Sequence, residues 1–222
     1  AERVEKRTWP TIANESMGHP ASLDKDSPIT AELLYPRWAE FIREDDLVVA
    51  ETGTVSMGLG FGRLPQGATF YNQTLWGSIG WATPAALGVS VAAPDRRVLL
   101  FTGEGSHQLT VQELGQFGRM GLRPIIFVLN NNGYLIERLL CKDPDIAYND
   151  VAPWNYTELP HAMGCDGWYT AKVKTCGELE IALAEANRST SGVYIEVVTD
   201  TYASSELALR LSEALKSMRK NE

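Results

Sequence analysis

Four short apolar runs, separated by helical patterns, limit the choice of fold more than any other feature of this chain. The runs are LVVAE (47–51), VLLFT (98–102), PIIFVLN (124–130) and VYIEVV (193–198). They show little alternation of apolar and polar residues, which is typical of strands buried on both faces of a parallel sheet. Helices must then cover both faces, so the sequence predicts an α/β fold with a doubly wound, mostly parallel sheet.

Weaker strand patterns and several helical stretches complete this β-α-β rhythm. The weaker strands are ATFYN (68–72) and GWYTAKV (167–173), and an early helix is predicted in TAELLYPRWAEFI (30–42), with a kink or restart at Pro36. The other predicted helices cover 79–92, 110–122, 134–141, 177–188 and 203–219.

Length and composition indicate one domain with a short appendage. The 222 residues are 44% hydrophobic, which is enough to bury one sizeable core. Residues 1–28 mix charges, prolines and polar residues without periodicity and are interpreted as a linker or N-terminal tail. The domain itself is expected to occupy residues 29–222.

Charge and cysteine content argue against several classes of partner and location. The net charge is −8 and no Lys/Arg block is present, so nucleic acid and anionic membranes are poor partners. No apolar run approaches ~20 residues, and AERVEKRTWP lacks the apolar core of a signal peptide. Cys141, Cys165 and Cys176 are odd in number and widely spaced, which favours reduced thiols in the cytoplasm.

Small polar residues follow three of the predicted strands and also open one helix. They are TGT (52–54), GEGS (103–106), NNG (131–133) and LWGSIG (75–80). Each segment alone is a normal turn or cap signal. Ligands bind at the carboxyl ends of strands in open α/β sheets, so four such segments at neighbouring ends predict one binding crevice.

The carboxylate of Glu104, between two glycines, indicates a metal. A capping-box spacing from Thr110 to Glu113 predicts that the next helix begins near Thr110, with an amino end that attracts phosphate. A carboxylate repels a bare phosphate, so a bridging divalent cation is expected. Mg²⁺ takes oxygen ligands, and Asn131 and the carbonyl of Gly133 would supply further oxygens. The sequence contains no G-x-G-x-x-G after the first strand and no G-x-x-x-x-G-K-[ST], which argues against an ordinary nucleotide-binding module.

GEGSHQLTVQELGQFGRMGLRPIIFVLNNNGYLIE (103–137) resembles the signature of thiamine-diphosphate enzymes, a Gly-Asp-Gly-Ser segment followed by Asn-Asn. AETGT (50–54), LWGSIGWATPAALG (75–88) and YNDVAPWNYTELPHAMG (148–164) resemble the 2-oxo acid decarboxylases, which act on pyruvate, indolepyruvate, phenylpyruvate and branched-chain oxo acids. The resemblance covers about residues 28 to 200. It implies the pyrophosphate-binding domain of such an enzyme, with thiamine diphosphate and Mg²⁺ as cofactors.

The resemblance also implies roles for individual residues. Glu104 stands at the family's metal-binding Asp, and Asn131 and the Gly133 carbonyl stand at the other protein ligands of Mg²⁺. The implied cofactor contacts are Thr52, Thr54, Gly77, Ile79, Gly105, Ser106, Asn131 and Gly133. The Ile79 side chain would be the wedge under the bent cofactor.

The catalytic group implied by the resemblance is Glu137, which assists decarboxylation and protonation of the bound substrate. Ser56, Met57, Ile136 and Leu140 fall where related enzymes shape the substrate pocket. In the family, the cofactor attacks the 2-oxo carbon, CO₂ leaves, and protonation releases an aldehyde.

The chain departs from the family in two respects. Glu104 is one methylene longer than Asp, so metal binding is expected to be weaker or to favour another divalent ion, such as Ca²⁺ or Mn²⁺. The resemblance covers only the pyrophosphate-binding domain, so the pyrimidine-binding and middle domains are expected to lie outside these 222 residues, and Glu51 is not expected to be the glutamate that activates the cofactor. The chain is therefore expected to need a separate partner chain, or the rest of a cleaved longer chain, in a homo- or hetero-oligomer.

Three functions follow from this combination. The first is the cofactor-binding component of a decarboxylase that acts on a small 2-oxo acid. The second is a carboligase component with the same cofactor. The third is a catalytically degenerate subunit that serves assembly or regulation.

Overall fold

The computed structural model of this protein describes residues 24–60 and 62–219. Most of the predicted tail, residues 1–23, lies outside these ranges. Within the described ranges, no helix combines the length and apolar character needed to cross a membrane.

The described chain forms a six-stranded sheet in which every paired strand is parallel, as the apolar runs predict. The strand order is β2-β1-β3-β4-β6-β5. The strands are β1 (Leu47–Ala50), β2 (Thr69–Tyr71), β3 (Val98–Gly103), β4 (Ile125–Asn130), β5 (Tyr169–Val173) and β6 (Val193–Val198). All six predicted strands are confirmed, including the two weaker ones.

The position of each strand explains the strength of its sequence pattern. The four central strands are buried along almost their whole length, so their sequences are apolar at most positions. β2 and β5 lie at the two edges and are only partly buried. Edge strands tolerate polar residues, which weakens the apolar pattern by which strands are predicted.

Helices cover both faces of the sheet, which confirms the doubly wound architecture. They are α1 (Ala31–Phe41), α2 (Thr54–Leu59), α3 (Ala82–Ala92), α4 (Glu104–Gln108), α5 (Leu114–Arg119), α6 (Leu135–Leu140), α7 (Leu159–Ala162), α8 (Cys176–Arg188) and α9 (Glu206–Arg219). α1, α2 and α8 pack into one core, and α3 and α5 pack into the core on the other face. α1 continues through Pro36 without a break.

Three helix starts differ from the predicted ones: α9 begins at Glu206 instead of residue 203, and the other two lie near the predicted crevice. α3 begins at Ala82 instead of residue 79, because Gly80 adopts a positive φ of 81°. After β3 a short helix, α4, already begins at Glu104, and a 3₁₀ turn (Val111–Glu113) that leads into α5 begins directly after Thr110. The Thr110 side chain forms no cap and donates a hydrogen bond to the Gly80 carbonyl at 2.8 Å.

A capping box does form elsewhere, at the start of α8. The Thr175 hydroxyl accepts a hydrogen bond from the Glu178 backbone N–H, and the Glu178 carboxylate accepts one from the Thr175 N–H. The end of the predicted tail also contacts this helix start, since the Gly177 N–H donates to the Lys25 carbonyl.

The strand order determines where a ligand site can form. Chain connections leave β1 toward β2 on one side, whereas β3 lies on its other side. Connections therefore diverge between the carboxyl ends of β1 and β3, which leaves a crevice there between the segments that follow the strands. The segments beginning at Glu51 and Glu104 line that crevice, together with the residues that follow β4.

A buried histidine attaches α4 to α3 directly behind the crevice. His107 is fully buried, and its Nδ1 lies 2.9 Å from the Thr83 hydroxyl oxygen. Its ring also packs against Tyr194 of β6, and Nε2 has no hydrogen-bond partner among the described residues. Burial lowers the pKa of His107 to about 4, because the charged ring would lose its hydration.

The lowered pKa of His107 predicts a loss of stability in acid. The unfolded imidazole takes up a proton near pH 6.5, whereas the buried one stays neutral until about pH 4. The contribution of His107 to the free energy of unfolding is therefore fully present above pH 6.5. As the pH falls toward 4, the free energy of unfolding decreases by on the order of 3 kcal/mol. His107→Asn keeps a polar partner for Thr83 and removes the titration, so its unfolding free energy should lack this component.

Urea unfolding of wild type and His107→Asn at several pH values between about 7 and about 4.5 measures the difference. His161→Asn, which changes an exposed histidine, is the control and should follow the wild type. If the free energy of unfolding changes with pH in the same way for wild type and His107→Asn, the prediction is wrong.

Candidate functional site

A cleft of about 420 Å³, measured out to its solvent-facing mouth, lies at the carboxyl ends of β1, β3 and β4. Most of the predicted cofactor and metal residues line it, from four separate stretches of chain. The lining residues are Thr52, Gly53, Thr54, Val55, Ile79, Gly103, Glu104, Gly105, Ser106, Leu129, Asn131, Gly133, Tyr134, Leu135 and Ile136. The structure thus brings together segments that are up to 84 residues apart in the sequence, from Thr52 to Ile136.

Glu104 connects two of these segments. Its side chain is only 3% exposed, and Oε1 accepts hydrogen bonds from the backbone N–H of Gly133 at 2.7 Å and of Asn131 at 3.2 Å. Burial raises the pKa of Glu104 to about 7, and the backbone N–H groups around it limit the rise. The carboxylate therefore joins the end of β3 to the end of β4.

The loop after β4 has a backbone shape that requires glycine. Asn132 and Gly133 have positive φ values of 59° and 141°. A Cβ atom at Gly133 would stand 2.2 Å from the Asn149 carbonyl oxygen, so no other residue fits there. Asn131, which precedes this turn, lines the cleft, and its side chain has no hydrogen-bond partner among the described residues.

Residues that sequence reasoning missed hold this loop from behind. The Asn130 side chain accepts a hydrogen bond from the Asn132 N–H at 3.2 Å and donates one to Glu196 at 2.7 Å. Glu196 is buried in β6 and pairs with Lys172 of β5 at 2.9 Å. The sequence did offer a signal for these contacts, because Glu196 stands inside the apolar run VYIEVV and a buried carboxylate needs hydrogen-bond partners.

Arg138 holds the other side of the same loop. Its guanidinium donates to the Asn132 carbonyl at 3.2 Å and pairs with Asp150 at 2.6 Å. It also donates to the Pro144 carbonyl at 2.9 Å. Arg138 therefore connects the loop after β4 to residues 144–150, a contact that no pattern in the sequence predicts.

The segment after β1 forms the opposite wall. Gly53 adopts a positive φ of 112° between β1 and α2, and its Cα faces Ile136 across the cleft. The Thr52 hydroxyl donates a hydrogen bond to the Gln73 carbonyl at 2.8 Å, which attaches the following exposed segment to this wall.

Residues 74–79 form an exposed segment at the mouth of the cleft. Ile79 lines the cleft, whereas Leu75 and Trp76 point away from the core and are 86% and 80% exposed. Gly77 has a positive φ of 62° and does not line the cleft. Trp81, by contrast, packs against the core beneath α3. Residues 74–79 therefore present two large apolar side chains, Leu75 and Trp76, to solvent in this chain.

Five predicted site residues lie outside the cleft lining, namely Ser56, Met57, Gly77, Glu137 and Leu140. Ser56 is buried and its hydroxyl donates to the Gly53 carbonyl at 3.1 Å. Glu137 is exposed on α6, next to Ile136, which does line the cleft. The roles assigned to these five residues, like those of the residues that line the cleft, stay predictions.

The chemistry of the lining suits a hard cation bound by oxygen. In the described part of the chain, no group of three His, Cys, Asp or Glu side chains lies close enough to hold a metal. The candidate donors are instead one carboxylate, one amide oxygen and one backbone carbonyl, from Glu104, Asn131 and Gly133. Mg²⁺ is often held by one or two protein carboxylates together with substrate phosphates.

Comparison with known proteins agrees with this geometry. The family model described as thiamine pyrophosphate enzyme, C-terminal TPP binding domain matches residues 51–197. The chain is 45% identical over 175 residues to the alpha-keto-acid decarboxylase of Mycobacterium tuberculosis H37Rv, covering 78% of this chain and 31% of that protein. It is 44% identical over 180 residues to the alpha-keto-acid decarboxylase of Mycolicibacterium paratuberculosis, covering 81% and 32%.

A solved structure shows the same fold. The thiamine diphosphate-dependent 4-hydroxybenzoylformate decarboxylase of Rhodococcus jostii RHA1 superposes with a TM-score of 0.71 at 22% identity, covering 82% of this chain and 34% of that one. The chain spans about a third of the length of the curated relatives it matches. Since the family model covers the strands from β2 to β5 and all four stretches that line the cleft, the chain belongs to the C-terminal thiamine-pyrophosphate-binding domains of the thiamine pyrophosphate enzymes.

Proposed function

We propose that this chain supplies the diphosphate- and metal-binding side of the active site of a thiamine-diphosphate-dependent 2-oxo acid decarboxylase. The reaction would convert a 2-oxo acid to an aldehyde and CO₂. One observation carries the proposal, namely that Glu104, Asn131 and Gly133 meet in one cleft at the topological switch point of the sheet. The 45% identity to an alpha-keto-acid decarboxylase supports this choice of reaction.

The residues of the cleft fit a metal-bound diphosphate. The Asn131 side chain and the Ser106 hydroxyl line the cleft and have no hydrogen-bond partner among the described residues, so both are available to a ligand. A Cβ atom at Gly103 would meet no atom within 4 Å, which leaves room beside Glu104. The metal would be Mg²⁺, held by Glu104, the Asn131 side-chain oxygen and the Gly133 carbonyl, while Gly105 and Ser106 bind the diphosphate.

Each wall of the cleft has a part in the reaction. Thiamine diphosphate, when bound, supplies the nucleophilic carbon and the electron sink for decarboxylation. Thr52, Thr54 and Ile79 would hold the cofactor from the β1 side, and Ile136 would supply an apolar wall that excludes water. Glu137, one residue further on α6, would hold and deliver the proton that the product aldehyde gains.

This chain would work together with further protein that covers the cleft. Glu137 is exposed here, whereas a proton donor works best in a site from which water is excluded. Leu75 and Trp76 would lie under the covering protein, since exposed apolar patches mark interaction sites. The partner would carry the pyrimidine-binding domain, as a separate chain or as the rest of a longer one, and the three free cysteines suit a reducing cytoplasm.

The reaction is tested by product analysis of the chain purified together with its associated chain. The complex is supplied with a 2-oxo acid, thiamine diphosphate and Mg²⁺, with and without an acceptor aldehyde. Free aldehyde and CO₂ are expected. Ligated product without free aldehyde would instead identify a carboligase, and a complex that binds no cofactor would identify an assembly subunit.

Glu137→Gln should lower kcat for decarboxylation by about 10²- to 10⁴-fold, because the amide cannot deliver a proton. The dissociation constant of thiamine diphosphate, measured by calorimetry, should stay unchanged. Glu44→Gln is a matched control. Glu44 is an exposed carboxylate that precedes β1, so it lies at the amino ends of the strands and the cleft lies at their carboxyl ends. Equal rates for the wild type and Glu137→Gln would remove Glu137 from the mechanism.

Glu104→Gln should weaken Mg²⁺-dependent binding of thiamine diphosphate by about tenfold or more, because the neutral amide is a poorer ligand than a carboxylate. Calorimetric titration with and without Mg²⁺ measures the effect. Glu113→Gln changes a carboxylate that does not line the cleft and should bind like the wild type. If Glu104→Gln keeps the full effect of Mg²⁺ on binding, Glu104 is not a metal ligand.

The double variant Leu75→Ser, Trp76→Ser should weaken association with the covering protein by about 30-fold, because buried aromatic anchors dominate interface energies. Sedimentation velocity over a concentration series measures the association. Ile181→Ser is the control, since Ile181 is 64% exposed on α8, which packs at the β5 edge of the sheet. An unchanged association of the double variant would place the interface elsewhere.

A further inference from the structure

Glu51 is a buried carboxylate to which the proposed mechanism gives no part. It follows β1 directly, is 0% exposed, and its backbone N–H donates to the Phe101 carbonyl of β3 at 2.8 Å. No ion pair joins it to a cation in the ranges that the structure describes. Its oxygens therefore depend on neutral hydrogen-bond donors.

Backbone N–H groups from both sides of the cleft mouth surround this carboxylate. Oε1 accepts from the Thr52 N–H at 3.0 Å and Oε2 accepts from the Ala82 N–H at 3.2 Å. Burial raises the pKa of Glu51, and hydrogen bonds from the backbone of Ala82, Thr52 and Gly80 oppose the rise. The side chain thus joins the segment after β1 to the first residue of α3.

The connection to α3 replaces a local helix cap. Trp81 stands at the N-cap position of α3 and provides no side-chain hydrogen bond. A serine or threonine at residue 81 could cap this helix without burying a charge. Glu51, 31 residues before Ala82, does more than cap the helix. It also joins the segment after β1 to the start of α3 and so fixes the distance between these two parts of the cleft.

Three hydrogen bonds together attach the exposed segment that contains Ile79. Thr52 binds the Gln73 carbonyl at its beginning, Thr110 binds the Gly80 carbonyl near its end, and Glu51 binds Ala82 at the start of α3. Residues 74–79 between these attachments are exposed. Ile79 therefore takes its place in the cleft from its attachments and not from burial in the core.

We infer that Glu51 is a positioning residue that holds the Gly80–Ala82 backbone against Thr52 and so sets where Ile79 stands in the cleft. Its effect on cofactor affinity rests on the proposed function, whereas its hold on the backbone does not. Glu51 itself touches neither cofactor nor substrate in this assignment. It acts through Ile79 on one wall and through Thr52 on the other.

The test compares Glu51→Gln with the wild-type chain of 222 residues. Glutamine has the same shape but only one acceptor oxygen, so one of the two backbone N–H groups loses its partner. Amide hydrogen exchange in peptides that span residues 77–82 should become faster by about fivefold or more without any ligand. Glu196→Gln, an equally buried carboxylate that contacts β4 and β5, should leave exchange in these peptides unchanged.

A second measurement distinguishes positioning from a contribution to folding alone. In the presence of saturating Mg²⁺, Glu51→Gln should bind thiamine diphosphate about fivefold or more weakly, with metal affinity in the absence of cofactor unchanged. If Glu51→Gln fails to fold, Glu51→Asp, which keeps both oxygens on a shorter side chain, is measured in the same way.

The outcomes separate this inference from the proposed function. Unchanged exchange in 77–82 would overturn the inference, and so would faster exchange with unchanged cofactor affinity. Binding of no thiamine diphosphate by the wild type together with its associated chain would overturn the proposed function. The exchange measurement would still decide whether Glu51 holds the segment.

Discussion

The hydrogen bonds from Asn131 and Gly133 to the Glu104 carboxylate are the interaction on which the cleft depends. They join the ends of two neighbouring parallel strands, where backbone N–H groups have no ladder partner left. A buried carboxylate satisfies those donors, and the donors in turn offset the cost of burying the charge. The group proposed to bind the metal thus also holds the loop that would supply the other ligands.

Buried carboxylates on β6 and after β1 hold other segments near the cleft. Glu51 after β1 accepts backbone N–H groups from two segments, and Glu196 within β6 holds the loop after β4 through Asn130. Together with Glu104, these side chains place three buried carboxylates near one edge of the sheet. Each stabilises a loop in which positive φ values rule out a regular helix or strand. The exposed segment around Trp76, in contrast, is held at its two ends and by hydrogen bonds from the Trp76 and Ser78 backbone N–H groups to the Gln73 side chain, which suits a surface that further protein covers.

Much of this fold could be predicted because burial leaves a strong pattern in the sequence. All six strands appear as apolar runs, and the glycine-rich segments mark the strand ends that line the cleft. The starts of the helices near the cleft were harder to predict. Thr110 and Glu113 have the spacing of a capping box, but α4 begins six residues earlier, and Thr110 binds Gly80 instead. A cap is a local pattern, and a tertiary partner at the right distance can replace it.

The sequence by itself determined that this chain forms a parallel α/β sheet and that small polar segments follow its strands. Its motif from Gly103 to Glu137 also determined the family, since the spacing of those residues survives without any coordinates. Only the tertiary structure decided which groups meet. The contacts of Glu51 with Ala82, Asn130 with Glu196 and Arg138 with Asp150 depend on strand order, because residues far apart in the sequence become neighbours only when the sheet is assembled. The structure also decided that Glu104 accepts backbone hydrogen bonds while it faces the cleft, which residue type and spacing alone do not specify.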